Sequence, residues 1–231
     1  MKKLLAIVLC SFLFIAAKSQ VYVQGGLNLS NITTTNSGGT QNNNLLTTFN
    51  AGIMARSNKT EPIALEAGLL IEGRGAKSNS YLTSSTDDNY VKATFNPLYL
   101  ELPVNFVLRL PLTHENNIFL NAGPYVAMGI GGKTKIETSF LGEKSNSTSS
   151  IGFNDDDPST TQQEDASYDK LKRFDYGVNV GAGIDLRKIL LKVNYGYGLA
   201  KINSTQDDNS SNNNNKYRTI SISLGIPLGL K

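Results

Sequence analysis

From Phe174 to Leu186 the chain alternates without interruption. Phe174, Tyr176, Val178, Val180, Ala182, Ile184 and Leu186 fall on one side of an extended strand, and Asp175, Gly177, Asn179, Gly181, Gly183 and Asp185 on the other. Successive strand side chains point to opposite faces, so one face is apolar and the other small or polar. A strand written this way suits lipid on one side and a narrow polar lumen on the other. Seven further stretches read similarly: Val21 to Ile32, Leu45 to Arg56, Ile63 to Arg74, Val91 to Arg109, Asn117 to Gly132, Leu190 to Ile202 and Tyr217 to Leu230; the eighth runs from Arg173 to Leu186. Each can supply the roughly 9 to 11 residues that a tilted strand needs to cross a bilayer. The predicted fold is all-β, an eight-stranded antiparallel transmembrane β-barrel.

Charge segregation supports that reading. In the third stretch Ile63, Leu65, Ala67, Leu69 and Ile71 share a face, opposite Glu66, Gly68, Glu72 and Arg74. Leu191, Val193, Tyr195, Tyr197 and Leu199 likewise oppose Lys192, Asn194, Gly196 and Gly198, and Ile220, Ile222, Leu224 and Ile226 oppose Ser221, Ser223 and Gly225. A basic side chain facing mid-bilayer costs about 2 to 4 kcal/mol, which explains why no charge falls on the apolar faces. Only the fourth stretch breaks parity: Phe95 and Leu98 flank Pro97 on opposite faces. Proline cannot donate to a ladder, so a bulge is expected there. A soluble carrier barrel of the lipocalin type would need apolar residues inward. The face carrying Gly177, Asn179, Gly181 and Gly183 would make a poor apolar pocket.

The first residues read as an export signal. Lys2 and Lys3 precede an apolar run from Leu4 to Ala17, and Ala17-Lys18-Ser19 places small residues where a signal peptidase reads. The run is shorter than the roughly 20 residues of a transmembrane helix. Residues 1–19 are therefore expected to be cleaved, leaving 20–231 as the barrel domain. Cys10 would leave with them, so the exported chain would hold no disulfide or thiol chemistry. The formal charge of +3 comes from 22 basic and 19 acidic residues. Loss of Lys2, Lys3 and Lys18 from the 22 leaves 19 against 19, so the charge gives no reason to expect nucleic-acid binding.

An even strand number leaves both ends on one side, with short turns at Ser57 to Pro62, Leu110 to Asn116 and Arg187 to Ile189. The long connections are Thr33 to Asn44, Gly75 to Tyr90, Lys133 to Lys172 and Asn203 to Lys216, rich in Asn, Ser, Thr and Asp. Short turns face the periplasm in such barrels and long loops the exterior. These loops carry few apolar residues, so they are expected to be mobile and without a core of their own.

Residues that could carry catalysis are sparse. A Ser-His-acid hydrolase needs an imidazole beside a nucleophile and an acid. The sole histidine, His114, falls in a periplasmic turn with nothing nearby to complete such a site. No catalytic residue, metal site or cofactor is expected. Asp87-Asp88, Asp155-Asp156-Asp157 and Asp207-Asp208 lack the alternating spacing of a calcium loop and read as solvated loop charge. The inward parity collects Arg56, Glu66, Glu72, Arg74, Glu101, Arg109, Asp175, Asp185 and Lys192. Eight strands leave an interior only wide enough for side chains, so these charges are expected to pair and fill the lumen rather than line an ion path.

Four motifs together resemble the PorT-like family of small outer-membrane β-barrels. They are Tyr99-Leu100-Glu101-Leu102-Pro103, Asn121-Ala122-Gly123-Pro124-Tyr125, Phe174-Asp175-Tyr176-Gly177 with Gly181-Ala182-Gly183, and Tyr195-Gly196-Tyr197-Gly198-Leu199. The resemblance covers most of Gln20 to Lys231 and implies the outer membrane of a Gram-negative bacterium. For some members it also implies a place in a protein-secretion apparatus. The chain departs from many such barrels in ending Leu230-Lys231 without a terminal aromatic. It has no Trp, so Phe49, Phe106, Tyr176 and Tyr197 are the candidates for an interfacial girdle.

The expectation is a monomeric, non-enzymatic barrel in outer-membrane lipid, with a structural or interaction role accessory to a secretion or envelope assembly. Two rivals are a narrow channel or lipid-transport barrel, and a surface adhesin acting through residues 133–172. If the parity is right, Val180→Arg will block membrane insertion far more than Asn179→Arg, a difference of about 2 to 4 kcal/mol at mid-bilayer. The retained fast migration of unheated protein on a gel reports insertion, and equal loss in both variants would contradict the assignment.

Overall fold

The computed structural model describes residues 20–36, 39–42, 44–57, 62–81, 89–113, 116–140, 142–153, 170–186, 188–202 and 214–228. His114, the three acidic clusters and residues 1–19 lie outside them. In chain order the strands are β1 (Gln20–Asn36), β2 (Gly39–Asn42), β3 (Leu46–Arg56), β4 (Ile63–Gly73), β5 (Ala76–Tyr81), β6 (Tyr90–Pro111) and β7 (Asn116–Phe140). There follow β8 (Glu143–Ser150), β9 (Gly152–Phe153), β10 (Lys170–Leu171), β11 (Phe174–Leu186), β12 (Ile189–Gly198) and β13 (Asn214–Pro227).

Eight of these close a ring in the order β1, β3, β4, β6, β7, β11, β12, β13, with every neighbour antiparallel. The closing pair is β1 with β13, in register from Tyr22 opposite Pro227 through Leu27 opposite Ile222 to Thr35 opposite Asn214. Closure leaves no sheet edge in hydrocarbon, where an unpaired N–H or C=O costs several kcal/mol.

The period-2 pattern emerges as alternating exposure. Along β11 the residues from Phe174 to Leu186 on even numbers are exposed, while Asp175, Gly177 and Asn179 are buried. Phe106 is 65% and Phe174 61% exposed, within a continuous apolar outer surface that only lipid can cover. Phe49, Phe106, Tyr176 and Tyr197 all face outward. Phe106 lies between Val104 and Leu108 on the outward face of β6.

The interior holds two apolar clusters. Tyr22, Met54, Ala64, Leu70, Val107, Phe119 and Leu190 pack toward the end with the short turns. Tyr99, Tyr125, Ala127, Ile151, Leu171, Ile202 and Tyr217 pack at the other end, with Ile32, Phe95 and Phe153 against them.

This second cluster corrects the expectation of core-free loops, because Ile151, Phe153 and Leu171 come from the 133–172 connection. Segments Gly152–Phe153 and Lys170–Leu171 pair in parallel, and the Phe153 ring meets Tyr99 edge-on at 5.5 Å. Strands extend into the expected loops as well: β5 pairs with the outer part of β6, and β8 with the outer part of β7. The long β6–β7 ribbon offers free backbone edges on both sides, and these segments satisfy them. The irregularity expected near Pro97 falls between Leu98 and Tyr99, and the extra residue, Ile130, belongs to the partner strand: Leu98 opposes Gly131, but Tyr99 opposes Gly129.

Inward glycines make room for rings. A Cβ on Gly183 would overlap the Phe119 ring, and one on Gly177 would overlap Tyr125. Gly183→Val should destabilise the barrel by about 1 to 3 kcal/mol through overpacking. The neighbouring outward change Ala182→Val should alter stability by less than about 0.5 kcal/mol. Urea midpoints of folding into lipid vesicles measure the difference.

Candidate functional site

The inward strand positions bring eight of the nine charged residues into two groups. Toward the outer end, Arg74 follows directly on β4, and its backbone is fixed by donation from its N–H to the Pro97 carbonyl at 2.9 Å. Its guanidinium donates to Glu72, to Glu101 and to Asp175, which arrive from β4, β6 and β11. Each carboxylate has a second donor: Asn28 to Glu72 at 3.3 Å, Asn179 to Glu101 at 2.9 Å and the Tyr125 hydroxyl to Asp175 at 3.0 Å. The guanidinium carbon also lies 4.5 Å from the Tyr125 ring centre and 5.5 Å from that of Tyr99.

The periplasmic group centres on Glu66 of β4. It accepts from Arg56 Nε at 2.9 Å, from Lys192 Nζ, from the Tyr22 hydroxyl at 2.8 Å and from Asn105 Nδ2 at 3.2 Å. Asp185 stands 3.7 Å from Arg56, whose guanidinium lies 4.3 Å from the centre of the Phe119 ring. Arg109 is the outlier. Its guanidinium reaches the Ser57 carbonyl at 3.5 Å at the periplasmic mouth, and its backbone N–H donates to Pro62.

Charge is unevenly divided between the groups. Three carboxyl groups converge on one guanidinium at the outer end, whereas Arg56 and Lys192 converge on Glu66 at the other. Amides bridge the space between: Asn50 donates to Asn28 at 2.6 Å and accepts from Gln24 at 3.4 Å and Ser223 at 3.0 Å. A cavity of about 30 Å³ remains, lined by Gln24, Asn50, Glu72, Asn105, Lys192 and Asn194 among others. Gln24 Oε1, Asn105 Oδ1 and Asn194 Oδ1 are buried without a protein partner among the described residues. A volume of that size holds about two waters, which would serve these oxygens. The arrangement holds charge in place, and its cavity is too small for a solute.

Sequence reasoning placed the charges but missed their aromatic and amide partners, Tyr22, Tyr99, Tyr125, Phe119, Asn28, Asn105 and Asn179. Parity carried the signal. Tyr99 stands two residues before Glu101, and Phe119 two before Asn121, on the polar side of strands whose apolar residues otherwise face out. Large rings at inward positions, opposite glycines on a neighbouring strand, mark cradles for guanidinium groups. Arg74→Met should remove about 3 to 5 kcal/mol by leaving three buried carboxyl groups without their shared cation. Glu101→Gln keeps the shape and relieves like-charge crowding, so it should cost less than half as much. Urea titrations of both variants in vesicles give the comparison, and an equal or larger loss for Glu101→Gln would contradict it.

The sequence profile described as "Outer membrane protein beta-barrel domain" matches residues 16–204. No curated protein matches the chain in sequence. Among solved structures it is similar to Ail, the attachment invasion locus protein of Yersinia pestis, at 13% identity and a TM-score of 0.40, covering 91% of this chain and 99% of that one. It is also similar to Neisserial surface protein A, at 12% identity and a TM-score of 0.39, covering 90% and 97%. The profile match spans every ring strand except β13, and the chain belongs to the outer membrane protein β-barrel domain family, resident in the Gram-negative outer membrane.

Proposed function

We propose that the protein is a monomeric, non-enzymatic interaction component of the outer membrane, accessory to a secretion or envelope assembly as in the PorT-like branch that its strand motifs resemble. Residues 1–19 are its export signal in this reading, and 20–231 the mature domain. The observation that carries the proposal is the filled lumen. Arg74 and Glu66 gather the inward charges into two buried groups, and Tyr99, Tyr217, Ile151 and Phe153 pack over the outer one. What such a barrel offers the cell is its surface.

The adhesin reading draws on one further feature, the sheet that β5, β6, β7 and β8 build beyond the apolar band. Its exposed Ile136 and Phe140 give a partner something to pack against. Native-detergent purification of the tagged protein from its own membrane, with mass spectrometry, should recover a stoichiometric partner. Deleting residues 142–171 should lose that partner while the barrel still migrates as folded. Recovery of the barrel alone would oppose the assembly role. The filled lumen also predicts no unitary conductance in planar bilayers, and a steady conductance that disappears in Glu101→Gln would favour transport instead.

A further inference from the structure

We propose that the outward face of the extracellular sheet binds phosphate groups of glycolipid in the outer leaflet of the protein's own membrane. The binding groups are Lys77, Lys92, Lys133, Lys135 and Lys144. Directly paired residues share a face of a sheet. Across β5, β6, β7 and β8 the rows are Asn79, Lys92, Glu137 and Asn146, then Lys77, Thr94, Lys135 and Thr148. A further row sets Tyr90, Ser139 and Lys144 together, and another Asn96, Lys133 and Ser150. These rows alternate with those of Val91, Ala93 and Phe95, so all five lysines occupy one face.

That face points outward. Along β6 the outward positions run from Leu110 up to Leu98 and continue without change of parity through Asn96, Thr94 and Lys92. On β7 the extra residue at Ile130 reverses parity, and the reversal sets Lys133 and Lys135 outside rather than over the lumen. The lysine rows therefore begin directly where the lipid-facing band of Leu98 and Ile130 ends. Rows on one face recur every two residues, so the first two, with Lys133 and then Lys77 and Lys135, stand within roughly 10 to 13 Å of the band's edge. That is the level of the headgroups.

The charges are available. None of the five lysines forms an ion pair among the described residues. Lys77, Lys133, Lys135 and Lys144 are exposed, and Lys92 rests on the Tyr90 ring at 4.0 Å. Glu137 is the one carboxylate on this face among the described residues. It accepts from the Tyr90 hydroxyl at 2.8 Å, while Glu143 pairs with Phe140 on the opposite face. Compact ammonium groups on flexible stems suit clustered phosphates of variable spacing. Both complementarity of charge and continuity with the lipid-facing band single out a membrane lipid as the occupant.

The test is native mass spectrometry of the detergent-solubilised mature barrel titrated with bis-phosphorylated lipid A, dephosphorylated lipid A and, separately, heparin. The phosphorylated lipid should bind at least ~10-fold more tightly than the dephosphorylated one, in a salt-sensitive manner. The combined variant K77Q/K92Q/K133Q/K135Q should lose that preference. Equal binding of the two lipids by the unaltered protein would overturn the proposal without reliance on any variant. So would an undiminished preference in the variant, or a preference for heparin over lipid A, which would assign the face to a soluble polyanion.

Discussion

No backbone N–H or C=O in the hydrocarbon layer can turn to water for a partner, and the architecture follows from that single constraint. A helix would satisfy it within one segment. This chain alternates too strictly for a spanning helix, and no described helix is long and apolar enough to cross a membrane. Its strands must pair around a closed circuit, and the pairing of β1 with β13 completes it. Once the ring is closed, alternation assigns every side chain to lipid or to lumen, and a slip of one residue would reverse both assignments.

The lumen then has its own constraint. Charged groups taken out of water are expensive to bury, and mutual attraction offsets the cost only when each also has hydrogen-bond partners. Arg74 and Glu66 meet this condition at separate levels. Arg74 joins three strands through carboxylates, and Glu66 joins Arg56 of β3 with Lys192 of β12. Because the partners come from neighbouring and opposite walls, each group also specifies register: a shifted strand would strand a buried charge. The aromatic rings do the rest of the filling. Phe119 lies beneath Arg56 and Tyr125 beside Arg74, each accommodated where the neighbouring strand carries glycine.

Much of this was legible before any coordinates. Period-2 alternation located all eight ring strands, although β7 runs on to Phe140, past the expected end at Gly132, and it placed Glu66, Glu101, Asp175 and Lys192 inside. What was hidden depends on contacts between distant segments. The outer part of β7, beyond Gly132, and the segments that form β5 and β8 read as polar loop because their residues have no apolar face to bury. They form strands because their backbones pair with one another and with the outer part of β6. The role of Ile151, Phe153 and Leu171 was likewise unreadable, since three scattered apolar residues become a plug only when Tyr99 and Tyr217 lie beneath them. Arg109 was grouped with the other charges by parity alone, and the structure places its guanidinium at the mouth, where it reaches the Ser57 carbonyl.

Outside the membrane the same logic of pairing and parity sets what the protein presents. The bulge at Ile130 turns the lysines of β7 outward, just above the apolar band, while the lumen stays filled. All of it rests on ring closure, which hydrogen exchange and cross-strand NMR contacts in lipid nanodiscs test most directly. The account predicts backbone amides of β1 from Tyr22 to Leu29 and of β13 from Ile220 to Ile226 protected as strongly as those of β11, with contacts between Leu27 and Ile222. Rapid exchange confined to β1 and β13, with no contact between them, would mean an open sheet and contradict it.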